Sequence, residues 1–193
     1  FPTRRSSDLF DIVFDKPIKD TILTKAQLPQ RGDKFTLLFG LKKGDTLKVK
    51  ISLSTVSVKN AQMNMKAELP HWDFDKVVAQ NKAAWNKILN KIQAQGTDEQ
   101  LANFYTSMYH AFIHPNNIAD SNGQYRGADN KVKTAPSGKY YSTLSLWDTY
   151  RAEHPLFTVI APELVNDMVN TMLAHYDAHG HMPIWVLWGK ENR

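Results

Sequence analysis

The chain contains no cysteine, which excludes disulfide bridges, thiol nucleophiles and thiolate metal ligands. No stretch approaches the ~18 consecutive apolar residues of a transmembrane helix. A glycine-rich phosphate loop and a Gly-x-Ser-x-Gly elbow are both missing, so nucleotide and esterase chemistry find no support. A strong charge excess is missing too: 24 Lys+Arg stand against 19 Asp+Glu, a net +5 with the basic residues dispersed. That balance gives no argument for a nucleic acid or an anionic lipid as partner. What is present is a globular composition, with 42% hydrophobic, 11% aromatic and 22% charged residues. At 193 residues it suits one large domain or parts of two.

The two ends carry their own signals. Phe1 to Leu9 reads FPTRRSSDL, without helical or strand periodicity. The string matches, in frame, the translation of a sequencing adapter, so residues 1–9 are expected to be a non-native tail. Without its two Arg and one Asp the net charge falls from +5 to +4. The other end, Glu191-Asn192-Arg193, has no helix-stop signal and follows an aromatic-rich motif. The expectation is an interior fragment of a longer protein.

Residues 10 to 60 alternate with period two. Phe10, Ile12 and Phe14 form one series, and Phe35, Leu37 and Phe39 a second. The longest is Leu47, Val49, Ile51 and Leu53, opposite Thr46, Lys48, Lys50 and Ser52. Such alternation predicts antiparallel strands with the apolar face buried. The parity change to Val56 and Val58 predicts a bulge near Ser54-Thr55, and Gly32-Asp33 and Lys43-Gly44-Asp45 predict turns. From about Asp73 the period becomes helical. Val78, Trp85, Ile88, Leu89 and Ile92 share a face, with Gly96 as the predicted stop. Thr97 and Gln100 have capping-box spacing ahead of Leu101, Phe104, Tyr105, Met108 and Phe112. Residues 114–141 read as a long loop. A short helix is predicted over Ser145 to Arg151, then a longer one from Pro162 to a stop at Gly180.

Three places could carry chemistry. In SLWDTYR (145–151), Trp147, Asp148 and Arg151 fall within one turn. An aromatic face stacks on sugar C–H groups and charged groups grip hydroxyls; equally, the turn could hold a buried Trp and an Asp148–Arg151 ion pair. In PIWVLWGKEN (183–192), Trp185 and Trp188 precede Glu191. An apolar setting would keep that carboxyl protonated as a general acid, whereas a solvated Glu after a core Trp pair would do nothing of the kind. His175, His179 and His181 include a zinc-compatible i, i+4 pair, but no Glu lies beside them, and histidines suit a helix C-terminus electrostatically.

The order of motifs resembles the family-92 glycoside hydrolases, calcium-dependent exo-acting α-mannosidases. The resemblance rests on KVKISLSTVSVKNAQMNMKAELPHWDFD (48–75), FYTSMYHAFIHPN (104–116), GQYRGAD (123–129), YYSTLSLWDTYRAEHPL (140–156) and the Pro-x-Trp-x-Leu-x-x-x-Glu run at 183–191. It covers about residues 40–193. It implies the end of an N-terminal β-sandwich over 10–69, then a linker helix and the first helices of an (α/α)6 barrel over 70–193, truncated. It also implies inverting release of terminal α-mannose from oligosaccharides or glycoproteins. In that chemistry an acid protonates the leaving oxygen, and a base roughly 6.5–9.5 Å away activates water.

By the same resemblance Glu191 takes the acid position, and Asp148 holds mannose hydroxyls in a pocket shaped by Trp147 and Arg151. Ca2+ is the implied cofactor, its main ligands and the paired aspartates of the base being expected downstream. Export to the periplasm, the cell surface or the medium is implied as well. The sequence departs from the family where Gly180-His181-Met182 precedes Pro183, His181 replacing a bulky apolar residue, and at Trp188-Gly189-Lys190. Three other readings remain: an (α/α)6 glycosidase for another sugar, a non-catalytic carbohydrate-binding module using Trp147 and Trp185, and a zinc enzyme built on the three histidines.

Overall fold

The structure is a computed structural model that describes residues 9–25, 33–187 and 189–191. Most of the expected tail, Gly32, Trp188 and the last two residues lie outside them.

Alternating side chains make β1 (Leu9–Phe14), β2 (Ile18–Thr24), β3 (Lys34–Phe39) and β4 (Val49–Ser54). They join as two antiparallel pairs, β1 with β4 and β2 with β3, and Phe14 meets Phe39 across them at 4.9 Å. Between β3 and β4 the expected turn forms at Lys43-Gly44, where Gly44 takes φ +92° and Asp45 accepts from the Lys42 N–H.

The alternation is right but the buried face is the other one. Phe10, Ile12 and Phe14 pair with Leu53, Ile51 and Val49, yet Ile51 is 62% exposed while Lys50 and Ser54 are buried. The reason is α1 (Val58–Glu68), a helix the strand reading missed, which packs on the polar face through Asn60, Ala61 and Met65. Ser52 Oγ donates to the Ala61 carbonyl, and Lys50 Nζ donates to that of Leu69 while lying over the Trp72 ring. The expected bulge is absent: β4 ends at Ser54 and Ser57 caps α1, accepting from the Asn60 N–H.

α2 (Phe74–Leu89) starts at the Asp73 cap and ends before Asn90, well short of Gly96. In α3 (Asp98–Ala111) the predicted capping box of Thr97 and Gln100 is formed on both sides. The long loop is a set of short strands: β5 (Asn116–Asn117), β6 (Gln124–Arg126), β7 (Val132–Thr134), β8 (Tyr141–Ser142) and β9 (Leu144–Ser145). Then come α4 (Leu146–Thr149), an unforeseen α5 (Glu153–Ile160), and α6 (Pro162–His179), which stops as predicted at Gly180 in left-handed geometry. Finally β10 (Trp185–Leu187) pairs with both β9 and β11 (Lys190–Glu191).

One apolar core gathers Tyr141, Leu144, Phe157, Ala161, Met168 and Val186. A smaller one holds Tyr125, Ala135 and Tyr140. The architecture is mixed β and α, and both cores lie beneath the three-stranded ribbon formed by β9, β10 and β11.

Candidate active site

That ribbon brings two of the sequence candidates together. β10 is its middle strand: Trp185 pairs with Ser145 on one side, and Val186 pairs with Glu191 on the other. Glu191 is half-buried, and its carboxylate reaches back to accept from the main-chain N–H of Ile184 at 2.9 Å and of Trp185 at 3.2 Å. It is therefore oriented by polar main chain, not only by the aromatic surroundings that the sequence suggested. The Leu146 N–H donates to the Ile184 carbonyl, which fastens the start of α4 beside the same strand.

Asp148 sits in the first turn of α4 and accepts from Ser145 Oγ at 2.7 Å. Among the described residues no ion pair joins it to Arg151, which lies past the helix end. Arg151 instead donates from Nε to the Tyr150 hydroxyl and covers that ring. Trp147 is 72% exposed, and Trp185 is 56% exposed. In this chain neither of these two rings is buried, while Trp188, the other member of the expected pair, lies outside the described residues. Trp185 and Glu191 lie on the ribbon and Trp147 and Asp148 on the helix fastened beside it, two open aromatic rings and two carboxylates in a layout that suits stacking on sugar rings.

Beneath the ribbon runs a stack of three rings. Tyr125 lies on Tyr140 at 3.8 Å, and Tyr140 lies parallel to the His175 imidazole at 5.6 Å. Tyr140 Oη and His175 Nε2 are hydrogen-bonded at 3.0 Å. Burial pushes the Tyr140 phenol up. It pulls His175 down to about 4, with the Glu191 charge opposing and His179 reinforcing. Gly189, at φ +75°, rests on this layer; a Cβ there would lie 3.1 Å from Ile118 Cδ1 and 3.5 Å from the Tyr140 ring. Its N–H donates to the buried Ser142 hydroxyl.

Residues 60–193 match the sequence model of the glycosyl hydrolase family 92 catalytic domain. The chain belongs to this family. Among solved structures, a family-92 α-mannosidase from Bacteroides thetaiotaomicron is 33% identical with a TM-score of 0.85, over 95% of this chain and 27% of its own. The same enzyme has been solved with mannoimidazole bound. An inverting family-92 mannosidase from the same species is 27% identical with a TM-score of 0.81, over 95% of this chain and 26% of its own. The chain thus spans about a quarter of the length of these relatives. Among curated proteins none matches it in sequence.

Several polar features of this family-92 chain escaped the sequence reading. Asp120 is buried, and it accepts from Ser54 Oγ, Asn60 Nδ2 and Asn64 Nδ2 at 2.7–2.8 Å. Arg126 donates to the carbonyls of Thr55 and Val56. Glu153, at the start of α5, has its carboxyl pushed up by burial, with His114 opposing. Asn-Gly at 122–123 marked the turn beside Asp120, but nothing local could show that α1 would supply its partners. A cleft of about 660 Å3 opens between β4, α1 and β5, and its lining includes neither Glu191 nor Asp148.

The zinc reading has no geometric support. His175 is buried on Tyr140, while His179 and His181 are exposed and stacked on each other. Among the described residues no group of three or more His, Asp or Glu could hold a metal. The buried Asp120 carboxylate is occupied by hydroxyl and amide donors.

Proposed function

We propose that the whole protein is an exo-acting α-mannosidase that releases terminal mannose from oligosaccharides or glycoproteins with inversion. The observation that carries this reading is the match of residues 60–193 to the family-92 catalytic domain. That stretch takes in both Glu191 and the Trp147-Asp148-Arg151 turn. The 33% identical relative is called an α-mannosidase, and another relative an inverting mannosidase. In this reading residues 10–69 close a β-sandwich, and residues 70–193 open an (α/α)6 barrel. The protein works outside the cytoplasm, where such glycans are met.

Glu191 acts as general acid. Its carboxyl proton passes to the glycosidic oxygen as the bond to the anomeric carbon breaks. Water attacks the opposite face and gives its proton to a base outside these residues. Asp148 accepts from mannose hydroxyls, Trp147 stacks on the ring, and Arg151 bounds the pocket. Calcium is the metal the resemblance implies for the complete enzyme. The described residues hold no group of three or more His, Asp or Glu for it, and no step is routed through it.

In the full-length protein, Glu191→Gln should lower kcat on an α-linked mannobiose by about 100-fold or more, with little change in KM. Unchanged turnover would remove Glu191 from the mechanism. Preference for an α-glucoside would instead favour a different sugar, and binding of mannosides without hydrolysis would favour a carbohydrate-binding module. The 193-residue chain alone, carrying one half of an acid/base pair, should be inactive.

A further inference from the structure

His175 poses a question that packing does not answer. It is 1% exposed in the middle of α6, with Nε2 bonded to Tyr140 Oη. Its Nδ1 is buried with no partner among the described residues. A buried polar atom left unpaired is destabilising, and an apolar side chain of similar size would avoid that loss. Among the described residues, therefore, one imidazole nitrogen has no hydrogen bond to offset its burial.

The ring is well placed to act on one neighbour. The Tyr125, Tyr140 and His175 rings form a single flat stack. The turn between β10 and β11 comes up against this layer at Gly189, beside Tyr140 Cε1. Glu191 follows two residues later at the end of β11, and its charge raises the His175 pKa against the effect of burial. Burial nevertheless keeps the imidazole neutral at ordinary pH.

We propose that the Tyr140–His175 pair is a positioning device for the Glu191 acid: a hydrogen-bonded floor that fixes the β10–β11 hairpin so that Glu191 meets the glycosidic oxygen. The inference rests on the proposed mannosidase reaction. Both residues act through Glu191 and touch no substrate. A displacement of about 1 Å in a reacting group can reduce rate roughly 100-fold, so a floor that holds the hairpin has a measurable effect on turnover.

The test compares two substrates in the full-length protein. An α-linked mannobiose has a poor leaving group that must be protonated, whereas 2,4-dinitrophenyl α-mannoside releases a stable phenolate without an acid. Tyr140→Phe, His175→Leu and the double variant should each lower kcat on mannobiose by about tenfold or more. Their KM should stay within about twofold, and turnover of the dinitrophenyl substrate should stay close to wild type. Glu191→Gln should show the same pattern more strongly. His175→Gln, whose amide can still reach Tyr140 Oη, should recover part of the loss. The double variant removes both hydrogen-bonding partners and leaves no unpaired group. It should melt at or above the wild-type temperature, which separates lost positioning from lost folding.

Equal losses on the two substrates, or full activity of the double variant, would overturn the proposal and return the pair to simple packing. A wild-type protein that cleaves neither mannoside would overturn the mannosidase reading itself, and this inference with it.

Discussion

At pH 7 the His175 imidazole is neutral, because burial among Tyr140 and the core holds its pKa at about 4 against an ordinary 6.5. The unfolded chain takes up that proton first as the solution is acidified. The resulting stability is fully present above about pH 6.5 and is lost as the pH falls to about 4. Over that interval the difference amounts to about 3 kcal/mol. His154, also held down by burial, works in the same direction. Urea titrations of the full-length protein at several pH values should show the decline, and His175→Gln should flatten it. A decline unaltered by that substitution would assign the acid sensitivity to other groups. Trp147 and Trp185 teach a different lesson at this scale: a tryptophan in an apolar string can be core or surface, and in this chain Trp147 in α4 and Trp185 in β10 are both exposed.

Helix caps and the Asp120 cluster differ in what they hold, and their losses should differ accordingly. Thr97→Ala removes one side of the α3 capping box and should reduce stability by about 1 kcal/mol. Asp120→Ala strands the hydroxyl of Ser54 and the amides of Asn60 and Asn64 in a buried space. It should reduce stability by about 3 kcal/mol or more. Chemical denaturation of the two variants side by side checks the order; equal losses would mean that water replaces the carboxylate freely. The same contrast explains what could be read beforehand. The capping box and the stop at Gly180 were legible because their partners lie within a turn of each other. α1 was not, since its Val-rich start continues the strand alternation and its partners Ser52 and Asp120 lie on other elements. Glu191 and the Trp147-Asp148 turn stand out as carboxylates in aromatic strings, with roles that the motif resemblance implies, while the join between β9 and β10 that links them needed the strand pairing. The buried polar pairs beneath them had no local signal.

Viewed as a whole, the molecule keeps an uncovered apolar face on β1 and β4, where Phe10 is 58%, Ile51 62% and Leu53 55% exposed. Contiguous apolar surface of this kind favours association. The 193-residue chain by itself should bind a hydrophobic dye and elute above its 22.0 kDa mass. Phe10→Ser together with Ile51→Lys should reduce the dye signal severalfold, and a signal unmoved by both changes would place the sticky surface elsewhere. The Asp120 cluster has a consequence at this scale for anyone recombining this chain with its family-92 relatives. Ser54, Asn60 and Asn64 lie before residue 69, whereas Asp120 and Arg126 lie after it, and their side chains interlock. A chimaera spliced at 69/70 would ask each parent to complete the other's polar lock, and mismatched parents would leave it half-closed. A crossover placed ahead of Ser54 inherits lock and key from one parent.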